Sequence, residues 1–247
     1  MTPFLEVKDV RKAYGAIKAV DGVSFDVGPG EIVGVIGPNG SGKTTLFNSI
    51  LGQIAPTSGH VEFCGEDITG MSPLELSRRG VGRTFQTLQV FVKLSVRDNL
   101  IAAAQEFKGT LGGRLFAKPD AGLGDHADQM IELFRLKHVA HLPAGSLSYG
   151  QQKLIDIAMA FMAAPRLVLL DEPCAGVNPS LVDQLHDRLV ELNKTQGGSF
   201  VVIEHNMDFI MKLCPHVICM VEGKVLAEGP PAQVQGNRAV LEAYLGN

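Results

Sequence analysis

Apolar and polar residues alternate twice near the start of the chain, at Leu5-Glu-Val-Lys and Val23-Ser-Phe-Asp-Val27, which predicts half-exposed antiparallel strands. Glu31 to Ile36 is a short continuous apolar run instead, the pattern of a strand covered on both faces, and Gly28-Pro-Gly30 marks a turn before it. A Gly-rich loop from Gly37 to Gly42 leads into helical spacing over Lys43 to Leu51, stopped by Gly52. Val61 to Ile68 predicts a hairpin. From about Leu74 to Ala164 the pattern is mostly helical, except over Phe107 to Asp125, where Gly109, Gly112, Gly113, Gly122 and Gly124 predict a flexible loop or insertion. Apolar strands return at Leu167–Leu170 and Ser199–Ile203 and flank a helix from about Ser180 to Lys194. A last hairpin is predicted over Val217 to Ala227, turning at Glu222-Gly-Lys. Buried strands alternating with helices imply an α/β fold with a parallel sheet, and the alternating strands at both ends imply an added antiparallel layer. No internal repeat is visible, so the chain holds one such unit.

Composition narrows the function. The 247 residues are 45% hydrophobic and 19% charged, which excludes a largely disordered chain. Net charge is −4, without the basic excess of a dedicated DNA binder, so no nucleic-acid partner is expected. The four cysteines, Cys64, Cys174, Cys214 and Cys219, form no CxxC pair, which argues for a reducing cytoplasm and against a disulfide framework. Cys214 to Cys219 has no second ligand pair to complete a zinc site. The N-terminus lacks the pattern of a signal peptide. No run approaches the ~18 consecutive apolar residues of a membrane helix, since the longest, Leu154 to Leu170, is broken by Asp156, Pro165 and Arg166. Any membrane role is therefore expected to be exercised from outside the bilayer.

Gly37-Pro38-Asn39-Gly40-Ser41-Gly42-Lys43-Thr44 fits the phosphate-loop pattern in full, and it stands between a buried strand and a helix. A triphosphate needs many donors converging on its oxygens. Glycines let the backbone fold tightly enough to aim successive N–H groups inward, and the helix N-terminus adds positive potential. Residues Gly37 to Thr45 are the expected ATP-binding set. Lys43 would neutralise the β- and γ-phosphates, and the Thr44 hydroxyl would ligate Mg²⁺. Leu167 to Leu170 ends in Asp171-Glu172, and acids at the carboxyl end of a central strand sit beside such a loop. Asp171 would bind Mg²⁺ directly or through water, and Glu172 would polarise the attacking water. The guanine-reading Asn-Lys-x-Asp of GTPases is missing its acid at Asn193-Lys194-Thr195-Gln196. Ser148 and Gln151 have the spacing of a capping box, opening a helix that would bury Leu154, Ile157, Ala158 and Phe161.

These motifs, in this order, resemble the nucleotide-binding domains of ABC proteins over nearly the whole chain. Leu147-Ser148-Tyr149-Gly150-Gln151 looks like the family signature, Gln86 in Arg83-Thr-Phe-Gln the Q-loop, His205 the switch histidine, and Ala175-Gly176-Val-Asn178 the D-loop. Tyr14 stands where the family places an aromatic that stacks on adenine. Gly80 to Gln86, Val96 to Leu100, Glu172 to Pro179 and Ile203 to Phe209 are similar to the ATP-binding subunits of branched-chain (hydrophobic) amino-acid importers. Urea, amide and aromatic-acid importers and lipopolysaccharide-export ATPases are close cousins of that branch.

The resemblance implies a single P-loop NTPase domain over 1–247. It would have a RecA-like parallel sheet core, an antiparallel β layer and a helical signature subdomain over approximately 88–160. It implies ATP and Mg²⁺ as cofactors, with Thr44, Gln86 and Asp171 at the metal and Lys43, Glu172 and His205 as catalytic residues. It also implies a head-to-tail pair with a second ATP-binding subunit, identical or sibling, whose signature closes on this chain's ATP. The further partners would be two integral-membrane permease subunits and an extracytoplasmic solute-binding protein, with the chain peripheral on the inner face of the cell membrane. The segment after Gln86 would face a permease helix, and Leu88–Val92 and Leu94–Leu100 are apolar enough for that surface or for the core. Three positions depart from the family pattern: Tyr149 replaces a signature glycine, Asn178 the usual D-loop Asp, and Lys153 a common Arg.

Overall fold

The structure, a computed structural model, describes residues 3–84, 87–104 and 121–245. Its centre is set by the continuous apolar runs. β3 (Ile32–Ile36), β7 (Leu167–Asp171) and β8 (Ser199–Ile203) are buried along their whole length and lie side by side. Alternate residues serve opposite faces. Ile32, Ile36, Val168, Leu170, Phe200 and Val202 belong to one core, while Val33, Val35, Leu167, Leu169, Val201 and Ile203 belong to the other. A strand that feeds two cores has no polar face to show, which is why its sequence does not alternate.

The first core is closed by helices α3 (Val96–Ala104), α4 (Ala121–Leu133), α5 (Tyr149–Phe161), α6 (Pro179–Gln196) and α7 (Met207–Leu213). The second is closed by α1 (Lys43–Ile50), α2 (Pro73–Arg78) and an antiparallel sheet. That sheet comprises β1 (Leu5–Tyr14), β2 (Ile17–Val27), β4 (Ser58–Phe63) and β5 (Glu66–Asp67), in the order β2-β1-β4-β5. Two short helices, α8 (Pro231–Gln235) and α9 (Arg238–Leu245), end the described chain. No helix among the described residues is long and apolar enough to cross a membrane.

Three expectations need correction. The C-terminal hairpin does form, from β9 (His216–Val221) and β10 (Lys224–Gly229), but it joins the large sheet and not the antiparallel layer. β9 runs parallel to β3, with Ile36 opposite Cys219, because Val217–Met220 is fully buried; only β10, on the edge, alternates. The mostly helical middle also contains a sixth strand, β6 (Val81–Arg83), paired parallel to β7 at the other edge. Finally, Ala121–Asp125 opens α4 and is not loop. Gly124 sits where a Cβ would meet the Arg97 guanidinium at 2.9 Å, and that guanidinium pairs with Asp128 at 2.8 Å. The rest of the predicted Gly-rich loop, residues 107–120, lies outside the described residues.

Candidate active site

The phosphate loop joins β3 to α1. Gly37 (φ 146°) and Gly42 (φ 99°) take backbone angles that side chains resist. A Cβ at either would lie 2.1 Å from a backbone oxygen, of Met220 and Ala19 respectively, so β9 and β2 press directly on the loop. The loop is pinned from outside: Gly223 N–H donates to Ser41 O (3.0 Å), and Asp21 N–H donates to Gly223 O (2.8 Å). Gly42 is the N-cap of α1 and brings no capping side chain, which leaves the first-turn amides for an anion. Asn39, Gly40 and Thr44 are exposed at the loop, Pro38 and Thr45 half-buried, and Ser41 buried. Lys43 is buried, and its ammonium donates to Gly37 O (2.8 Å), Pro38 O (2.9 Å) and Ser41 Oγ (3.3 Å). Burial holds its pKa below the usual lysine range, against the pull of Glu172, Cys219 and Asp171.

The acids arrive at the end of β7, separated from β3 by β8. Asp171, 3% exposed, ends β7, and its N–H donates to Thr84 Oγ1 (3.1 Å). Burial, then the like charge of Glu172, pushes the Asp171 carboxyl above its ordinary value, and Arg83 and Lys153 offset part of this. Glu172 follows in the left-handed region (φ 48°), with its N–H on Ile203 O at 2.9 Å. A non-glycine residue held there is strained, a feature that clusters at functional sites. The strain aims its carboxylate sideways along the strand ends: Glu172 Oε1 lies 2.9 Å from His205 Nε2, just beyond β8. A cleft of about 320 Å³ opens beside this pair, lined among others by Glu204, Asn206, Asp183 and His186.

One residue of this site was not singled out by sequence reasoning. Glu204 is 4% exposed. Its Oε1 accepts from Cys174 N–H (2.6 Å), and its Oε2 accepts from His205 N–H (2.8 Å) and Asn206 N–H (3.0 Å). The available signal was an acid directly after the apolar run Phe200–Ile203, a position that cannot point far from the core.

The capping box and the buried face of α5 form as the spacing predicts. Ser148 caps α5 in a reciprocal capping box with Gln151: Gln151 N–H donates to Ser148 Oγ (3.3 Å), and Ser148 N–H donates to Gln151 Oε1 (3.1 Å). Leu154, Ile157, Ala158 and Phe161 are buried. The carbonyl of Leu147 accepts from Gln152 Nε2 (3.0 Å). Tyr149 begins the helix with ordinary backbone angles, half its surface exposed, and its ring lies against Gly176 of the D-loop. A Cβ at Gly150 would stand 2.6 Å from the Leu181 Cδ2 methyl, which would have to shift. Asn178 has a local reason to be Asn: it is the N-cap of α6, accepting from Leu181 N–H at 3.0 Å. Lys153 is fully buried on α5.

Tyr14 stands exposed at the end of β1, with Lys12 Nζ 5.3 Å from its ring centroid. Gln86 lies outside the described residues. The chain beyond it is tied to α5, because Gln89 N–H donates to Asp156 Oδ1 (3.0 Å); burial raises the pKa of that carboxyl. The surface-or-core question divides within the segment. Phe91, Val92 and Leu94 are exposed with Leu142, while Val96 and Leu100 are wholly buried. Asn99, fully buried, makes the division by hydrogen-bonding Phe91 through both its N–H and its C=O.

The comparisons agree with this fold. The ABC transporter family model matches residues 20–175, and a branched-chain amino acid ATP-binding cassette transporter model matches residues 224–247. The chain is 36% identical to the high-affinity branched-chain amino acid transport ATP-binding protein BraF of Pseudomonas aeruginosa, over 99% of this chain and 98% of that one. It is 39% identical to the probable branched-chain amino acid transport ATP-binding protein LivG of Archaeoglobus fulgidus, over 98% and 95%. Two solved ATP-binding cassettes of ABC transporters superpose over the full length of both chains at 35% identity, a nucleotide-free one with TM-score 0.88 and one in its ADP conformation with TM-score 0.89. The chain therefore belongs to the ABC transporter family, as a cassette whose ATPase activity is coupled to transport.

Proposed function

We propose that this chain powers uptake of branched-chain or other hydrophobic amino acids, with Glu172 and His205 as the pair that handles the attacking water. The observation that carries the catalytic reading is the 2.9 Å contact between these side chains at the ends of β7 and β8, the two strands that follow the one feeding the phosphate loop in the sheet order. Glu172 accepts the proton of the water, and His205 holds the water and the γ-phosphate in line. Lys43 turns from the loop carbonyls to the β- and γ-phosphates, and the loop amides of Gly37 to Thr45 bind the remaining oxygens. Tyr14 stacks on the adenine. The oxygen donors Thr44, Asp171 and Gln86 suit Mg²⁺, and a cation beside Asp171 would relieve the charge crowding that raises its pKa. When bound, Mg²⁺ neutralises charge on the β- and γ-phosphates.

Leu147 to Gln151, with Gly176 and Asn178, would meet the ATP of a second ATP-binding subunit, identical or sibling. The helices between about 88 and 160 would form the lobe that moves with closure. The exposed Phe91, Val92 and Leu94 suit a helix of a permease subunit. Two such subunits and an extracytoplasmic solute-binding protein would complete an importer, with this chain on the inner face of the membrane. The amino-acid assignment draws on the named relatives and on the C-terminal match.

Glu172→Gln tests the catalytic reading. ATP turnover should fall by about 10²-fold or more while ATP binding persists and a dimer accumulates. Turnover near the unsubstituted rate would refute the base assignment. For the solute, the purified membrane complex should be stimulated by a leucine-like amino acid with its binding protein; stimulation only by a lipid would move the chain to the export branch.

A further inference from the structure

Glu204 directly follows β8, and its side chain turns back under the site and not out to water. Its two carboxylate oxygens serve two different loops. Oε1 accepts from Cys174 N–H at 2.6 Å, in the loop that leaves Glu172 and runs through Gly176 to Asn178. Oε2 accepts from His205 N–H at 2.8 Å and Asn206 N–H at 3.0 Å, in the turn that carries His205 into α7. Only an acid has the acceptors for this arrangement. A glutamine of the same shape offers one oxygen and turns an NH₂ group toward an N–H. With the carboxylate 4% exposed, water cannot readily stand in for a lost partner.

We propose that Glu204 is a positioning residue: it fastens the D-loop to the switch-histidine turn, so that a second subunit pressing on the D-loop moves His205 with it. The inference rests on Glu172 and His205 being the catalytic pair. The outer end of the connection is also visible, since Gly176 lies against the Tyr149 ring at the start of the signature helix; a Cβ there would be 2.8 Å from Tyr149 Cε1. A path of contacts thus runs from Tyr149 through Gly176 and Cys174 to Glu204 and His205. Without the carboxylate the two loops would drift independently, and the 2.9 Å Glu172–His205 contact would be held only part of the time.

The test uses the purified full chain, with Mg·ATP as probe, in Glu204→Gln, Glu204→Asp, His205→Ala and the double variant Glu204→Gln/His205→Ala. Glu204→Gln should lower kcat by about tenfold or more and leave KM for ATP within about twofold, because the phosphate loop is untouched. Glu204→Asp, with two acceptors on a shorter arm, should recover part of the loss. The double variant should be no slower than His205→Ala alone, since Glu204 acts through His205. Hydrogen exchange of the Cys174, His205 and Asn206 amides should accelerate together in Glu204→Gln. Turnover of Glu204→Gln within about twofold of the parent chain, or losses that multiply in the double variant, would overturn the proposal. If His205→Ala itself turns over at the parent rate, the catalytic-pair reading falls. Amide exchange then decides the fastening separately, and unchanged protection of the three amides would overturn it too. Should Glu204→Gln fail to purify, Glu204→Asp carries the same exchange and turnover criteria.

Discussion

Asn99→Ala should unfasten the loop that presents the exposed apolar patch, and its cost can be worked from the hydrogen bonds. Asn99 Oδ1 accepts from Phe91 N–H at 2.7 Å, and its Nδ2 lies within 3.3 Å of the carbonyls of Phe91, Leu94 and Ser95. All three carbonyls have other donors: Phe91 O takes Leu94 N–H, Leu94 O takes Ala144 N–H, and Ser95 O takes the backbone N–H of Asn99 itself. Alanine therefore orphans one group, the Phe91 N–H, in a part-buried setting. The loss is about 1–2 kcal/mol. With a urea slope of about 2–3 kcal/mol/M, the unfolding midpoint should fall by about 0.5 M at unchanged slope. Asn99→Asp should be at least as costly at pH 7, because it sets a charge against three carbonyls, and it should recover in acid as the protonated form regains a donor. ATP turnover of the isolated chain should change little in Asn99→Ala, since no group of the phosphate loop or of the Glu172–His205 pair is moved. A midpoint within about 0.2 M of the parent would refute the claim that Asn99 holds the loop.

Gly42→Ala should cost more than Gly40→Ala. The first meets Ala19 O at 2.1 Å as well as an unfavourable φ, for about 3 kcal/mol or more, whereas the second has open space and bears only left-handed strain of about 1–2 kcal/mol; thermal unfolding of the two ranks them. A thiol reagent under native conditions should label one cysteine quickly. Cys64 is exposed, while Cys174, Cys214 and Cys219 are buried and burial pushes their thiols up, Cys219 to about 11; mass spectrometry locates the label. Tyr244→Phe should change stability by less than about 1 kcal/mol, since the buried hydroxyl makes no well-formed hydrogen bond and has only the Gly37 backbone near it. In the parent, one tyrosine should resist ultraviolet titration until about pH 12, the value to which burial lifts Tyr244.

The features legible in the sequence are those whose chemistry is local. The Gly37–Thr44 spacing, the Ser148–Gln151 capping box and the buried runs of β3, β7 and β8 each carry their reason within a few residues. What escaped depends on a distant partner. β6 is three residues long, contains Gly82, and is a strand because β7 lies beside it. The C-terminal hairpin showed its local pattern, but which sheet it joins is decided by Ile36 meeting Cys219. Glu204 and Asn99 read as ordinary polar residues, because neither burial nor the amides they bind are neighbours in sequence. The Leu88–Leu100 stretch could not be assigned as a whole, since Asn99 turns its first part to solvent and its last part to the core.

The order of strands explains why the chemistry is spread over the chain yet converges in space. β3, β8 and β7 are consecutive neighbours, so the phosphate loop, His205 and the Asp171–Glu172 pair all leave the same carboxyl edge. Helix α5 reaches that edge at several points. The charge of its buried Lys153 acts on Asp171, its Asp156 holds the backbone just beyond Gln86, and the ring of Tyr149 lies against Gly176, four residues beyond Glu172. A glycine at 149 would leave the D-loop without that wall, so tyrosine there is better understood as part of the coupling than as a damaged signature. The phosphate loop and the signature helix also sit on different cores, since α1 packs in one and α5 in the other. The contacts of α5 with the strand ends are therefore where a movement of that helix would be felt at the carboxyl edge.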